Sequence, residues 1–474
     1  MSEDDLMTEM RCDVAIIGAG TAGLAAERAA RKAGAKTLLI DDGFSGTTCA
    51  TVGCMPSKLL IAAANATHRV RQAVTFGIRT PPPTVDGPAV MNRLRKERDA
   101  FVAATLKTVE QIPSGIRVKG KARFIDRTTL ALSDGKSVFA EAIVIATGAR
   151  PSVPKTFEVL GEPVLTNETI FELRSLPRSI AVVGAGPLGL ELAQALARLG
   201  VDTEVFEQSD HLAALRDAEV AKELRSILAT EFPIHSGVKL DAARDGDAAR
   251  LSWSGSSPGA RSFDRVLVAT GRLPQVQDLN LASAGVSMDK RGVPHFDSTT
   301  LQCGKAPIFL AGDADGQRPV LHEAASEGTI AGRNAAVFPD VRRAKRAVPL
   351  SIMFTDPPLA TIGAPPSDTT VVGTGSYADQ GRAKVDACNS GLVRIYANRE
   401  SGAITGAVLL GPAMDHIAHL FAWAIERGET AAGMLELPVY HPTLEEGLKP
   451  PLRQICESVG VSIAHLDSVV PPGA

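Results

Sequence analysis

Apolar and polar positions along the chain form one pattern that occurs twice. The runs VAII (14–17) and IAVV (180–183) are continuous apolar stretches, as expected of strands covered on both faces in a parallel sheet. Each leads into a glycine cluster, GAGTAG from Gly18 and GAGPLG from Gly184, and then into an Ala- and Leu-rich helical pattern that stops at Gly34 or Gly200. A second strand follows, ending in an acid, Asp41 or Glu207, 23 residues after the first glycine in both copies. The pattern predicts two strand–helix–strand units. A second matched pair, IVIATGARP (143–151) and VLVATGRLP (266–274), predicts the strand that closes each unit. The second unit therefore reads as an insertion into the first, with residues 1–150 and 273–345 forming one domain and 151–272 the other.

The remainder, 346–474, has a different pattern. VRIYANRE and GAITGAVLLG read as strands around the turn-forming ESG, and HIAHLFAWAIERG reads as a helix with a glycine stop. This predicts an α+β domain without a nucleotide motif. Loops are expected at 80–88, 254–260 and 364–370, and one charged helix over 91–112. The expected fold class is α/β, with two Rossmann-like units and a C-terminal α+β domain.

Composition narrows the function class. The 474 residues are 45% hydrophobic and 22% charged, with a net charge of −3. That balance gives no bulk attraction to nucleic acid or an anionic membrane. No apolar run approaches the roughly 18 residues of a membrane span. The opening MSEDDLMTEM lacks the features of a secretory signal, so a cytoplasmic location is the expectation.

The glycine clusters carry specific chemistry. The first glycine makes a tight turn, the second lets backbone approach a pyrophosphate, and the third lets helix and strand pack. The helix N-terminus offers free N–H groups to the phosphates, and the acid accepts from a ribose. Of six cysteines only Cys49 and Cys54 are close in sequence, in GTTCATVGCMPSK. Five residues of regular helix rise about 7.5 Å, beyond the roughly 7 Å a disulfide spans between Cα atoms. A bond between them requires irregular backbone near Cys49, which Gly53 would permit. Pro56 suits a first helical turn, which would place Cys54 at a helix N-terminus, where a thiolate is stabilised. Two unrelated buried cysteines are the alternative, and a zinc site lacks a second ligand pair nearby. Lys58 is a cation one turn on. Asp313 in IFLAGDADG follows another strand, and His441 with Glu446 in VYHPTLEEGLK could form a general acid–base pair or an ordinary helix start.

Eight ordered motifs, GAGTAG with Asp41, CATVGCMPSK, ATGARP, GAGPLGLE with Glu207, ATGRLP, AGDADG, FTDPPLATIG and HPTLEE, resemble the class I pyridine nucleotide–disulfide oxidoreductases, and within them the dihydrolipoyl dehydrogenases. The resemblance implies FAD and NAD as cofactors and a homodimer. It implies that Gly18, Gly20, Gly23 and Asp41 bind the ADP half of FAD, and that Thr48, Lys58, Ala122, Asp313 and Leu321 line the rest. Gly184, Gly186, Gly189, Glu207, Val238 and Gly271 would hold the nicotinamide nucleotide, with Glu207 favouring NAD(H). Lys58 would pair with Glu191. Cys54 would face the flavin, Cys49 would exchange with substrate, and His441 with Glu446 would act as base on the partner subunit's site. The substrate would be a small dithiol or disulfide, or a lipoyl domain. Departures from the family pattern at Asp41, Thr47, Ala50-Thr51 and Val439-Tyr440, with FTDPP closer to mercuric reductase, leave two alternatives: reduction of another disulfide or a metal ion, or redox sensing without catalysis. The tail SVVPPGA has no cysteine pair, unlike mercuric and thioredoxin reductases.

Overall fold

A computed structural model describes residues 9–255 and 257–461. The tail SVVPPGA and most of the acidic opening lie outside the described residues. Among the described residues, no helix is long and apolar enough to cross a membrane.

The first unit is built on a seven-stranded sheet. The strand Glu9–Ile17 pairs in parallel with Thr37–Asp41 on one side and Ser137–Ile145 on the other. The chain returns to this sheet after the insertion, where Ile308–Leu310 pairs in parallel with Ser137–Ile145. Helix Leu321–Ala336 then packs against helix Thr21–Lys32 at close range. A side chain on Gly328 or Gly332 would meet the backbone oxygens of Ala22 and Ala26 at 2.1 and 2.2 Å, so two glycines one turn apart set the contact.

The inserted unit repeats the plan in a five-stranded sheet in which Ser179–Val183 lies between Asp202–Glu207 and Arg265–Val268. A three-stranded antiparallel sheet, Lys239–Asp245, Ala248–Ser254 and Gly259–Phe263, is added to it. The expected loop at 254–260 overlaps these strands, because Ser254 ends one of them and Gly259 and Ala260 already belong to the next. The two crossings between the units run side by side: Ala149–Pro151 pairs antiparallel with Arg272–Pro274.

The C-terminal portion is a five-stranded antiparallel sheet including Leu392–Asn398 and Ile404–Leu410. It is covered by helix Met414–Arg427, which stops at left-handed Gly428, as the sequence pattern predicts. The charged helix runs Gly87–Glu110 and starts four residues earlier than expected. Asp86 accepts from the Ala89 N–H and Pro88 occupies the first turn, so the end of the expected loop is the helix start.

Candidate active site

The two glycine turns are near copies of each other. Gly18 and Gly184 have φ of +102° and +107°, where a side chain would also strike the oxygens of Ala146 and Ala269. A side chain on Gly23 or Gly189 would meet the Gly18 or Gly184 oxygen at 1.8 and 2.0 Å, so the third glycine lets the helix pack onto the turn. Gly20 and Gly186 have nothing within 4 Å of such a side chain, which leaves the backbone open to a ligand. The two acids are held alike. Asp41 accepts from the Ala19 N–H at 2.8 Å and Glu207 from the Ala185 N–H at 2.8 Å.

The cysteines lie where two short elements meet. Cys49 sits in one helical turn, Thr48–Thr51, capped by the Thr47 hydroxyl, and Cys54 is the first residue of helix Cys54–Gln72. The irregular backbone expected near Cys49 is therefore found at Val52 and Gly53, between two helical segments. A side chain on Gly53 would meet the Thr48 oxygen at 2.8 Å and the Cys49 Cα at 3.2 Å, so glycine brings the segments together. Both residues carry free thiols and line the same cavity, and each shifts the other's acidity. The Cys49 hydrogen bond, aided by Lys58, lowers Cys54 to about 7, whereas hydrogen bonding to Cys54 and burial raise Cys49. The other four thiols are raised by burial, Cys12 and Cys303 to about 12. Thiol alkylation of the reduced protein should therefore mark Cys54 first, with a rate that climbs through about pH 7 as its thiolate forms. Peptide mapping after brief iodoacetamide treatment checks this, and equal labelling of Cys12 and Cys54 at pH 7 would contradict it.

Both cysteines line a cavity of about 280 Å³ together with Gly20, Thr48, Lys58, Glu191, Asp313 and Leu321. Lys58 pairs with Glu191 at 2.7 Å and lies 4.3 Å above the Phe354 ring. Glu191 is 5% exposed and also accepts from the Phe354 N–H at 2.8 Å. The FTDPP segment thus locks onto the cysteine helix and the second glycine helix at once. Asp313 is raised by burial, partly offset by Arg272, 3.6 Å away. A larger cleft of about 1530 Å³ adjoins and is lined by Gly184, Gly186, Glu207, Val238 and Gly271. Asp313 and Arg272 line both spaces.

Several expected residues stand apart. Gly18, Gly23, Asp41 and Gly189 shape the turns without lining either space. Ala122 is 7% exposed in the buried strand Ala122–Phe124 and lines neither. His441 and Glu446 are brought together, Nδ1 to Oε2 at 3.0 Å, but not to the cysteines of the same chain. Glu446 also closes a capping box by accepting from the Thr443 N–H, and the Tyr377 hydroxyl donates to the Leu444 oxygen, which fixes the turn.

Other residues carry no sequence signal for their place in the site. Asn167 donates to the Val52 oxygen at 2.9 Å and lines both spaces, and Arg98 reaches the Thr51 oxygen at 3.5 Å. These contacts join residues 115 and 47 positions apart. Arg272 lies within a recognised motif, but its side chain's position follows only from the fold.

The residues present suit nucleotide cofactors. Besides the two open glycines, two buried atoms have no hydrogen-bond partner among the described residues: Arg272 Nε, on a residue that lines the cavity, and Thr147 Oγ1, whose chain neighbours Ala146 and Gly148 line it. A polar ligand would satisfy them.

Comparison with known proteins agrees with this geometry. The Pyridine nucleotide-disulphide oxidoreductase family matches residues 12–328, and its dimerisation domain matches residues 350–451. The chain is 32% identical over 457 residues to dihydrolipoyl dehydrogenase of Haloferax volcanii, covering 92% of this chain and 94% of that one. It is also 32% identical over 460 residues to mercuric reductase of Streptomyces lividans, again covering 92% and 94%. Among solved structures, LpdA from Mycobacterium tuberculosis superposes with a TM-score of 0.79 at 24% identity, covering 94% of this chain and 99% of that one. The HOCl-induced flavoprotein disulfide reductase RclA from Escherichia coli gives 0.78 at 21%, with 94% and 99% covered. The paired glycine turns, the adjoining dithiol and the family matches over residues 12–328 and 350–451 together show that the chain belongs to the class I pyridine nucleotide–disulfide oxidoreductases, enzymes whose cofactors are FAD and NAD(H).

Proposed function

We propose that this chain is an NAD-linked disulfide oxidoreductase that oxidises a dihydrolipoamide-like dithiol through Cys49 and Cys54, working as a cytoplasmic homodimer. The observation that carries the reading is the placement of both thiols in one cavity with the Lys58–Glu191 ion pair, where Cys54 is the thiol of lowered pKa. In this reading residues 1–150 and 273–345 bind FAD through Gly18, Gly20, Gly23 and Asp41, with Thr48, Lys58, Ala122, Asp313 and Leu321 along the rest. Residues 151–272 bind NAD through Gly184, Gly186, Gly189, Glu207, Val238 and Gly271, and residues 346–474 form the subunit interface.

With the pair oxidised, a substrate thiolate attacks Cys49 Sγ. The S–S bond breaks, a mixed disulfide forms and Cys54 leaves as a thiolate. A low-pKa thiolate is the better leaving group, and Cys54 is the lowered thiol. Lys58 holds positive charge beside it. The second substrate thiol gives its proton to His441 of the partner subunit and attacks the mixed disulfide. This releases the substrate disulfide and Cys49, which takes the proton back. FAD, when bound, would supply the two-electron acceptor through which the Cys49 thiol and Cys54 thiolate return to the disulfide, releasing the Cys49 proton, while NAD⁺ is reduced. Glu446 holds Nδ1 of the histidine and so leaves Nε2 to exchange the proton.

The test is an assay of the flavin-containing protein with dihydrolipoamide and NAD⁺, where negligible turnover rejects the dithiol substrate. His441→Gln should lower turnover by roughly 10²–10⁴-fold, the usual worth of a positioned acid–base group, while flavin content stays unchanged. A second reading, reduction of another disulfide or a metal ion, is favoured by Tyr440. Its ring is 83% exposed directly beside His441 and would crowd a long acyl arm. A panel of disulfides and of Hg(II) and Cu(II) salts with NADH separates the two.

A further inference from the structure

The Gly312–Asp315 turn forms one wall of the dithiol cavity through Gly312 and Asp313, and its last residue has no role in the chemistry above. Asp315 is 3% exposed. Its Oδ1 accepts from the Gln317 N–H at 2.7 Å, but its buried Oδ2 has no hydrogen-bond partner among the described residues. The charged groups around it come from every neighbouring element. Asp313 shares its turn and is matched by Arg272. Glu327, on helix Leu321–Ala336, bears on it and also accepts from the Gly312 N–H at 2.7 Å, and Glu323 lies one turn earlier on the same helix. Arg346, from the segment leading to the C-terminal sheet, pairs with Glu323 and Glu327, and Arg318 pairs with Glu323. Arg291 lies near Gly316 and pairs with Asp289. Among the described residues, each of these cations is paired with another carboxylate, and Asp315 has no ion pair.

We propose that Asp315 is a positioning residue that exchanges a proton with solvent in register with an electron pair entering the dithiol cavity, and so sets how the reduction potential depends on pH. The inference rests on the proposed function, because it requires electrons to enter that cavity. A buried carboxyl without a cation disfavours its ionised form, and an added negative charge nearby disfavours it further. Burial and Glu327 already raise this carboxyl to about 7, so it is partly ionised in the resting protein near neutral pH. Reduction of the Cys49–Cys54 disulfide takes two electrons and one proton and yields the Cys49 thiol and the Cys54 thiolate. The accompanying step adds one solvent proton to the Asp315 carboxylate and gives the neutral acid. NADH supplies the electron pair.

The experiment is redox titration of the flavin-containing protein between pH 6 and 8, comparing wild type with Asp315→Asn. One extra proton per electron pair steepens the slope by about 30 mV per pH unit at most. The expected result is a wild-type slope that exceeds the variant's around pH 7, with Glu327→Gln moving the excess to lower pH. Superimposable wild-type and Asp315→Asn profiles would overturn the inference. If Asp315→Asn does not hold flavin, the infrared difference spectrum of wild type on reduction at pH 8 decides. Gain of a protonated carboxyl band supports the inference, and its absence overturns it. Protein that never binds FAD would instead refute the proposed function.

Discussion

Cys54→Ser is expected to abolish disulfide turnover, by at least about 10⁴-fold in kcat, the scale seen when one member of a covalent catalytic unit is removed. The protein should still fold and bind flavin, because Cys54 occupies the exposed N-terminus of its helix and contributes little to the core. Serine preserves the helix start and the volume but supplies neither a thiolate near neutral pH nor a bond to Cys49. The visible spectrum on anaerobic NADH addition gives a second readout. Wild type should develop a long-wavelength thiolate–flavin band, and the variant should not. Retained dithiol turnover in Cys54→Ser would remove the dithiol from the electron path.

Lys58→Met should have the next largest effect, on two separate measurements. The substitution leaves Glu191, 5% exposed, without its cation. Breaking a buried pair from one side costs about 3–5 kcal/mol, and the lower end applies because Lys58 keeps 33% of its side chain in solvent. A fall of about 3 kcal/mol in chemical denaturation therefore follows. Loss of the neighbouring positive charge should also raise Cys54, so the alkylation rate would climb at higher pH than in wild type. Methionine keeps the stem packing and isolates the charge effect. An unchanged alkylation profile would show that the Cys49 hydrogen bond alone sets the Cys54 acidity.

Much of this was legible because the relevant residues obey local rules. Gly18 and Gly184 must take positive φ, Gly23 and Gly189 must lack a side chain, and the acids at 41 and 207 close the same loop, so each motif carries its own stereochemical reason. The cysteine spacing called for a break near Cys49 that Gly53 would permit, and the break lies at Val52 and Gly53, but the separate helical turn before it was not legible. That turn depends on the Thr47 cap. Long-range partners were not legible. The Val52 oxygen could have met many donors, and only the fold brings Asn167 to it. Phe354 reaches Lys58 because its own backbone N–H is bound by Glu191, a relation spanning 163 positions. The Asp315 environment was hidden for the same reason: Arg346 belongs to a linker whose path nothing in its composition specifies.

The paired crossings at 149–151 and 272–274 have a consequence for how the chain is assembled. Arg150 and Leu273 are directly opposed, and the Ser152 N–H donates to the Gly271 oxygen at 2.9 Å. Opposed antiparallel residues sit about 5 Å apart, a gap that a two-residue turn spans. Residues 153–270 could therefore be excised and the ends rejoined without breaking a strand of the first sheet. What the shortened chain would expose is the face of helix Cys54–Gln72 where Leu60 and Ala64 share a core with Leu190 and Ala193. The inserted module is thus held to its host less by its two covalent tethers than by the helix that carries the reactive sulfur.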